Sequence, residues 1–434
     1  MASKGSAVLR AAGRLAAALA LAALAAPAAL AMPVFARQYD MSCNTCHVAY
    51  PRLNAFGEAF AGKMNMRMPD WRAKTALPSQ DAELALPKVP PMAVRAQANV
   101  QGREGEEIDP ITGPTGNKSG FDFQSPYLIK LLSSAPLSDN ITYYFYGIFA
   151  EKGANGEALI EDAWFRHGDA FGSGVSVQLG QFQLSDLMFP RETRMTFQDF
   201  MVYRMAGVTY DRGVLFSREL GPVDAALGFV NGNGINANFN INSPGFRRPD
   251  RMFDNDSRKT VFGRVGVDVG PVGVGLFGAS GSQRSATGAA GADTGTRDTD
   301  KRTLGLDLSG DFGGKLFWFA QGLWNRWDGF LDPALDYKWF GAFAGVDYVP
   351  GGRWVYSVLW NHADAGDFEN TNTVFEGIAM RTLSFAVSYY FMRNVKGIVE
   401  LNIDLLDPQP RTGPFFTGHL TREHYLLFGF DAAF

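Results

Sequence analysis

The sequence predicts an all-β fold: a closed, antiparallel β-barrel of sixteen strands of the outer-membrane type, preceded by a small α-helical or irregular segment. Three observations support this prediction. Apolar and polar residues alternate with a period of two from Met92 onward, long and short connections alternate along the chain, and the last strand is rich in aromatic residues. An even strand count is typical of closed outer-membrane barrels.

The individual strands have one apolar and one polar face. Near the end of the chain, for example, Val399 and Leu401 alternate with Glu400 and Asn402. In a membrane-spanning barrel the apolar face meets lipid and the polar face lines the interior. The residues that we expect to line the interior are Arg95, Gln97, Asn99, Arg264, Asp268, Glu400, Asn402 and Asp404.

The connections predict the orientation of the barrel. Long ones fall at 103–123, 183–206, 232–259, 281–301, 363–378 and 407–419, and short ones at 135–140, 217–222, 270–271, 351–352 and 392–393. Outer-membrane barrels have long extracellular loops and short periplasmic turns. A chain that enters from the periplasm therefore places every long connection outside.

Particular connections and side chains carry further expectations. We expect 183–206 to fold inward, with a helical turn at 196–202, and 283–301 to form a flexible loop. An acidic group on the first long loop, Glu104, Glu106, Glu107 and Asp109, is either simply solvated or a transient Fe(II) site. Aromatic residues near strand ends are expected to form interfacial girdles, with electron hopping as the alternative; they include Tyr143, Tyr144, Trp318, Trp324, Trp354, Trp360, Tyr389 and Tyr390.

The N-terminus indicates export from the cytoplasm. Lys4, Arg10 and Arg14 precede an apolar run, and Ala29-Leu30-Ala31 matches a cleavage site. This pattern predicts a secretory signal peptide over residues 1–31 of a protein from a Gram-negative bacterium. The net charge of -4 and the absence of a basic patch argue against a nucleic-acid partner.

The only two cysteines lie in one motif, Cys43-Asn44-Thr45-Cys46-His47. This is the C-x-x-C-H pattern of covalent c-type haem attachment. It predicts thioether bonds at Cys43 and Cys46 and His47 as the proximal iron ligand. A thioredoxin-like pair lacks its βαβ context, and a structural zinc site lacks the remaining ligands.

The sixth ligand of the iron is left open by the sequence. Met64, Met66 and Met68 alternate just after a short helical pattern at 52–60, and Met64 is the first choice by position. Met/His ligation raises the reduction potential. The alternatives are methionines that only pack, a free or water-bound position, or one of the other histidines, which are His167, His362, His419 and His424.

Together with the haem motif, the flanking runs Pro33–Gln38 and Pro51–Gly57 resemble the fused monohaem cytochrome–porin family of outer-membrane iron oxidases. The resemblance in motifs covers about residues 33–60, and the resemblance of the barrel is architectural. It implies one c-type haem, a porin-like barrel, oxidation of extracellular Fe(II) and transfer of electrons to a periplasmic c-type cytochrome. The chain departs from the family at Tyr39-Asp40, Val48 and Glu58, which leaves the haem residues in place and opens the identity of the donor.

We therefore expect three parts: a signal peptide (1–31), a haem segment with its linker (32–90) and a barrel in outer-membrane lipid (91–434). The hydrocarbon core of a membrane is about 30 Å thick, which is too far for one efficient electron-tunnelling step. We therefore expect the haem segment to plug the lumen. The alternatives are a porin for small anions or solutes with a structural or sensory haem, and a conduit for a donor other than iron.

Overall fold

Sixteen of the strands in this computed structural model close into one barrel. The structure describes residues 34–50, 52–77, 87–108, 115–151, 154–188, 195–196, 198–232, 258–351, 353–407 and 421–434. The predicted signal peptide, Asp109 and His419 lie outside the described residues. Among the residues that are described, no helix is long and apolar enough to cross a membrane.

A small N-terminal segment precedes the barrel. It contains helix α1 (Val34–Tyr39), strands β1 (His47–Ala49) and β2 (Arg52–Leu53), and helices α2 (Ala55–Ala61) and α3 (Trp71–Thr75). Strands β1 and β2 pair only with each other. The helical pattern expected at 52–60 therefore begins three residues later, because Arg52 and Leu53 belong to this two-stranded sheet.

The barrel strands follow in chain order. They are β3 (Met92–Ile108), β4 (Thr115–Pro136), β5 (Ile141–Glu151), β6 (Ala154–His167), β7 (Ser176–Gln183), β8 (Tyr210–Leu220), β9 (Val223–Val230), β10 (Thr260–Val269), β11 (Val272–Thr287), β12 (Asp293–Phe312), β13 (Leu316–Asp328), β14 (Asp336–Gly351), β15 (Trp354–Asp364), β16 (Met380–Met392), β17 (Val395–Asp404) and β18 (Thr421–Ala433). Each pairs antiparallel with its neighbours, and β18 closes the ring on β3. The predicted sixteen-stranded closed barrel is confirmed.

The burial pattern shows which face of the sheet points inward. On β17, Lys396 and Glu400 are 3% and 0% exposed, whereas Val399 and Leu401 are 42% and 41% exposed. Polar residues inside and apolar residues outside are the reverse of a soluble barrel and match a wall in contact with lipid. Of the residues predicted to face inward, Arg95, Gln97, Asn99, Glu400 and Asn402 are buried, whereas Asp268 is exposed at a strand end.

Two hairpins are much longer than predicted. The supposed flexible loop 283–301 is mostly strand: β11 runs to Thr287 and β12 starts at Asp293, with Arg284 opposite Asp298 and joined to it at 2.6 Å. The described parts of the first long loop, 103–108 and 115–123, are likewise strand, so Glu104 and Glu106 lie on β3 opposite β18. Polar residues can continue a hairpin because the ladder of backbone hydrogen bonds and cross-strand ion pairs stabilise it without apolar side chains.

The aromatic prediction was right for some residues and wrong for others. Trp324, Trp354 and Trp360 are exposed on the outer face, as girdle residues should be. Tyr390 is buried, and Tyr144 stacks on the buried Trp164 at 5.2 Å, so both lie on the inner face. Successive side chains along a strand point to opposite faces of the sheet. Tyr144 and Tyr390 occupy inward-pointing positions of their strands, so they cannot belong to an outer girdle.

Candidate functional site

The two cysteines lie on a single tight turn. Cys43–Thr45 form one turn of 3₁₀ helix, and the backbone N–H of Cys46 donates to the carbonyl of Cys43 at 3.2 Å. His47 follows directly as the first residue of β1. Both thiols are half-buried, and they are not joined in a disulfide. The turn therefore presents two thiols and an imidazole within five residues.

Asn54 ties this turn to the next helix. Its side-chain amide donates to the carbonyls of Asn44 and Thr45, both at 3.1 Å, and its side-chain oxygen accepts from the N–H of Gly57 at 2.9 Å. The last bond is the N-cap of α2. A Cβ at position 57 would overlap the carbonyl oxygen of Cys46, so only glycine allows the helix to lie this close to the turn.

An apolar cluster lies beside the turn, and Cys46 packs against it. The buried side chains that contribute to it from this segment are Tyr39, Phe60, Met66 and Trp71, and Phe35, Met41, Cys46, Phe56, Met64 and Met68 pack against the same cluster. The rings of Phe35 and Phe60 meet edge to face at 5.2 Å. A porphyrin is a large flat apolar group, so half-buried thiols beside aromatic and thioether side chains suit its attachment.

The protonation of the two thiols also distinguishes this motif from a redox-active cysteine pair. Burial raises the pKa of Cys43 and of Cys46 above the ordinary value for a thiol. Catalytic C-x-x-C pairs instead have a lowered pKa, because the thiolate is their nucleophile. The pair therefore lacks the lowered thiol pKa of a dithiol catalyst, and Cys43, Cys46 and His47 are the residue types that attachment of a c-type haem requires.

The structure separates the three methionines. Met66 is buried, and its sulfur lies 3.9 Å from the hydroxyl of Ser134, which donates to it from the barrel wall. Met64 and Met68 are half-buried in the apolar cluster that also contains Cys46. Met64 as the sixth ligand, with Met66 or Met68 as the alternatives, stays a prediction, and the contact of Met66 with β4 favours the other two.

The described strand histidines have local structural partners. Nδ1 of His167 accepts from the N–H of Asp169 at 3.3 Å, and Nδ1 of His424 accepts from the N–H of Asp404 at 3.2 Å. His362 stacks on the outward-facing Trp360. The pairing of His424 with Glu104 places it at the end of the barrel with the long hairpins.

The N-terminal segment is anchored in the opposite end of the barrel, where the short turns lie. Arg52 pairs with Asp347 on β14 at 3.0 Å, and the hydroxyl of Tyr390 on β16 donates to the carbonyl of Tyr50. Arg95 and Lys396 lie 5.5 and 5.4 Å from the centre of the Tyr50 ring. The sequence predicted Arg95 as a lumen residue, but it gave no signal for the role of Tyr50.

A second set of contacts holds the other side of the segment. Asn65 donates to the carbonyl of Asn140 at 3.0 Å, and Arg166 donates to Asn65 at 2.7 Å and to the carbonyl of Ala61 at 2.6 Å. The indole N–H of Trp71 donates to Asp139 at 3.1 Å. The segment therefore contacts β3 to β6 on one side and β14 to β17 on the other, across the short-turn mouth.

The long connection after β7 folds into the lumen, as predicted. The hydroxyl of Tyr203 donates to Gln321 on β13, Asn361 on β15 donates to the carbonyl of Gln198 at 3.0 Å, and the N–H of Thr196 donates to Glu400 on β17 at 2.7 Å. Its helix, α4, runs over Met201–Ala206 rather than at the expected 196–202. Thr196 and Gln198, which lie before this helix, are instead bonded to Glu400 and Asn361 of the barrel wall.

Among the described residues, no group of three or more His, Cys, Asp or Glu side chains is arranged to hold a metal ion. The acidic residues Glu104 and Glu106 are spaced along one strand, and their cross-strand neighbours are His424 and Arg422. This geometry leaves the transient Fe(II) site at that position a prediction from the sequence.

Comparisons with known proteins support the barrel. No protein-family model and no curated protein matches the chain. Among solved structures, OmpF of Salmonella typhi, in complex with daunomycin, is 12% identical, with a TM-score of 0.50 over 79% of this chain and 97% of that chain. An anion-selective porin from Comamonas acidovorans is 14% identical, with a TM-score of 0.48 over 79% and 99%. At these identities the likeness to OmpF shows the fold alone, which is that of a porin-like outer-membrane barrel.

Proposed function

We propose that this chain is an outer-membrane cytochrome fused to a porin-like barrel, which oxidises extracellular Fe(II) and passes the electrons to a periplasmic c-type cytochrome. The observation that supports the proposal is the position of the C-x-x-C-H turn, because Tyr50 and Arg52, which follow it closely in the chain, contact charged residues of the inner wall at the short-turn mouth. That mouth faces the periplasm in barrels of this kind.

The chain's own residues supply the attachment. Cys43 and Cys46 would hold a haem through thioether bonds, His47 would be one ligand of its iron, and Met64, with Met66 or Met68 as the alternatives, would be the other. A c-type haem supplies a one-electron carrier that alternates between ferric and ferrous iron. Asn54 and Gly57 hold the turn that carries His47 against α2.

Apolar residues lie beside the turn that would hold the haem. Aromatic side chains of the N-terminal segment and residues of the inward-folded connection with α4 belong to one apolar cluster, against which Cys46 packs. Apolar surroundings and Met ligation would both raise the reduction potential of a haem held here. A raised potential would suit acceptance of electrons from a weak reductant such as Fe(II).

The direct test is anaerobic addition of Fe(II) to the purified, oxidised holoprotein while the haem absorption bands are followed. We expect stoichiometric reduction, one electron from each Fe(II), followed by reoxidation when a ferric periplasmic-type cytochrome c is added. Reduction by dithionite but not by Fe(II) at the working pH would contradict the iron assignment and would leave a conduit for another donor.

The second candidate is a porin for small anions or solutes that carries a structural haem, and the porin-like fold of the barrel favours it. A planar-bilayer measurement separates the two candidates. If the protein is a porin, we expect the full-length protein to conduct ions steadily. We also expect that adding an electron donor leaves its haem spectrum unchanged. If the protein is a cytochrome, we expect the full-length protein to have a low ion conductance, because the N-terminal segment and the inward-folded connection occupy the lumen.

A further inference from the structure

Three rows of outward-facing residues cross strands β12, β13 and β14 at the long-hairpin end. The outermost row is Asp300, Asp328 and Asp336. The next row towards the membrane is Arg302, Arg326 and Lys338, and the third is Leu304, Trp324 and Phe340. The members of each row are direct cross-strand neighbours in the register of the sheet. Acidic, basic and apolar layers are therefore stacked in this order on one patch of the outer wall.

The patch lies where the membrane surface should be. Leu316, at the short-turn end of β13, is ten residues from Arg326 on the same face. Ten residues span about 34 Å along a strand, which is about 26 Å along the membrane normal at a tilt of about 40°. The apolar band of outer-membrane barrels is about 25 Å tall. The cationic row therefore sits at the outer edge of the hydrocarbon, at the level of lipid head groups.

A groove lies directly beneath the cations. It has a volume of about 510 Å³ and is lined by Leu304, Trp324 and Phe340, with Arg302 and Lys338 at its outer rim and Asp364 at one side. The next outward pair towards the middle of the membrane is Gly322 and Ala342, and the rings of Trp324 and Phe340 lie over Gly322, 3.3 Å from where a Cβ would be, so that the two rings form the apolar floor of the groove. An acyl chain fits such a groove along its length.

The ion pairs leave two of the cations available. Arg326 is held by Asp328 and Asp336, both at 2.6 Å, and Asp300 is neutralised by Arg258 at 2.5 Å. Among the described residues, the carboxylates paired with Arg302 lie 3.7 and 3.9 Å away, and its side chain is 54% exposed. No ion pair of Lys338 is found in the part of the chain that the structure describes. Arg302 and Lys338 are two strands apart, about 10 Å, so they flank the groove as two separate anion-binding groups.

We propose that this patch binds a lipid of the outer leaflet whose head group carries two phosphates, as in the acylated, diphosphorylated disaccharide lipids of the lipid A kind. One phosphate pairs with Arg302 and the other with Lys338, and an acyl chain lies against Trp324 and Phe340. The separation of the cations favours two phosphates over the single phosphate of a glycerophospholipid. Arg326, which its two carboxylates hold in place, keeps the two flanking side chains apart.

The test is native mass spectrometry of the full-length holoprotein in detergent, titrated with diphosphoryl lipid A, monophosphoryl lipid A or phosphatidylglycerol. We expect diphosphoryl lipid A to bind at least tenfold more tightly than the other two. The double variant Arg302→Gln/Lys338→Gln should lose this preference. The matched control Lys315→Gln/Arg353→Gln removes two exposed cations at the short-turn end and should keep it.

A further variant tests the acyl contact and guards against a folding defect. Trp324→Ala should weaken the binding of all three lipids by a similar factor, because each of them has acyl chains. Heat-modifiable migration in gels checks that every variant retains the folded barrel. Equal binding of the three lipids to the unaltered protein, or equal loss in the double variant and its control, would overturn the proposal. The inference is independent of the haem, so its failure leaves the proposed electron transfer unaffected.

Discussion

Arg95 and Lys396 share one carboxylate beneath the ring of Tyr50. Arg95 binds Asp431 through two hydrogen bonds, at 2.9 and 2.7 Å, and the amine of Lys396 lies 3.7 Å from the same group. All three side chains are almost fully buried. This cluster joins the two edges of the chain where the barrel closes, and it also supports the turn that carries His47.

Replacing Asp431 by Asn should therefore be strongly destabilising. It leaves two buried cations without the carboxylate they share, and removal of one partner from a buried ion pair typically costs about 3–5 kcal/mol. The measurement is the urea midpoint of unfolding in lipid vesicles. The control is Asp224→Asn, whose exposed carboxylate pairs with Arg264 while Asp307 remains in place, and it should cost less than about 1 kcal/mol. Equal effects of the two variants would contradict this account.

Asp186, in the inward-folded connection, predicts an effect of pH. Burial, with the nearby charge of Glu161, raises the pKa of Asp186 well above its ordinary value, and its Oδ1 has no hydrogen-bond partner among the described residues. An acid whose pKa is raised in the folded state weakens folding at neutral pH. This penalty disappears as the pH falls towards the unfolded-state value, about 4.

Asp186→Asn should therefore stabilise the protein at pH 7.5 by about 1 kcal/mol or more, and the gain should vanish near pH 4. Thermal unfolding at a series of pH values, followed by gel migration, measures the difference. A gain that is the same at all pH values would show that the change acts through packing rather than through the charge.

The sequence predicted which side of the wall Arg95 faces but not what it binds. Its position in a two-residue alternation fixes its direction, whereas Asp431 is 336 residues away and meets it only when β18 closes on β3. The same limit applies to Tyr50, because its partners on β3, β16 and β17 come from distant parts of the chain. The role of a residue that depends on the pairing register of the first and last strands cannot be predicted from the local sequence pattern.

At the scale of elements, periodicity predicted the number and order of strands, and it failed where the hairpins extend above the membrane. The segment 281–301 has the Gly, Thr and Asp content of a loop, yet cross-strand partners such as Gln283 and Thr299 continue the ladder. Alternation of apolar residues marks only the stretch of strand in contact with lipid. Beyond it both faces are polar, so composition no longer separates strand from loop.

The contact between helix α2 and the Cys43–His47 turn predicts a specific effect of a small substitution. Gly57→Ala places a methyl group against the carbonyl of Cys46, so the turn must shift and haem attachment should fall several-fold while the barrel still folds. The measurement is haem content per folded protein. Gly278→Ala, at a glycine whose Cβ would meet nothing within 4 Å, is the matched control and should keep full haem content.

For the whole molecule, the N-terminal segment and the inward-folded connection both occupy the lumen. A variant in which the signal peptide is joined directly to residue 91 lacks the segment that contacts β3 to β6 and β14 to β17. We expect this variant to form an ion-conducting pore in planar bilayers, with conductance at least several times that of the full-length protein. Equal conductance of the two folded proteins would contradict a plugging role for residues 32–90.

In the function that we propose, electrons from an external donor cross the membrane through the haem segment. The most direct measurement uses proteoliposomes that contain the holoprotein with its short-turn end inward and a ferric cytochrome c inside, with Fe(II) added outside under anaerobic conditions. We expect the internal cytochrome to become reduced when the vesicles contain the haem-loaded protein, and to stay oxidised when they contain the His47→Ala variant. An internal cytochrome that remains oxidised in the presence of the haem-loaded protein would contradict it.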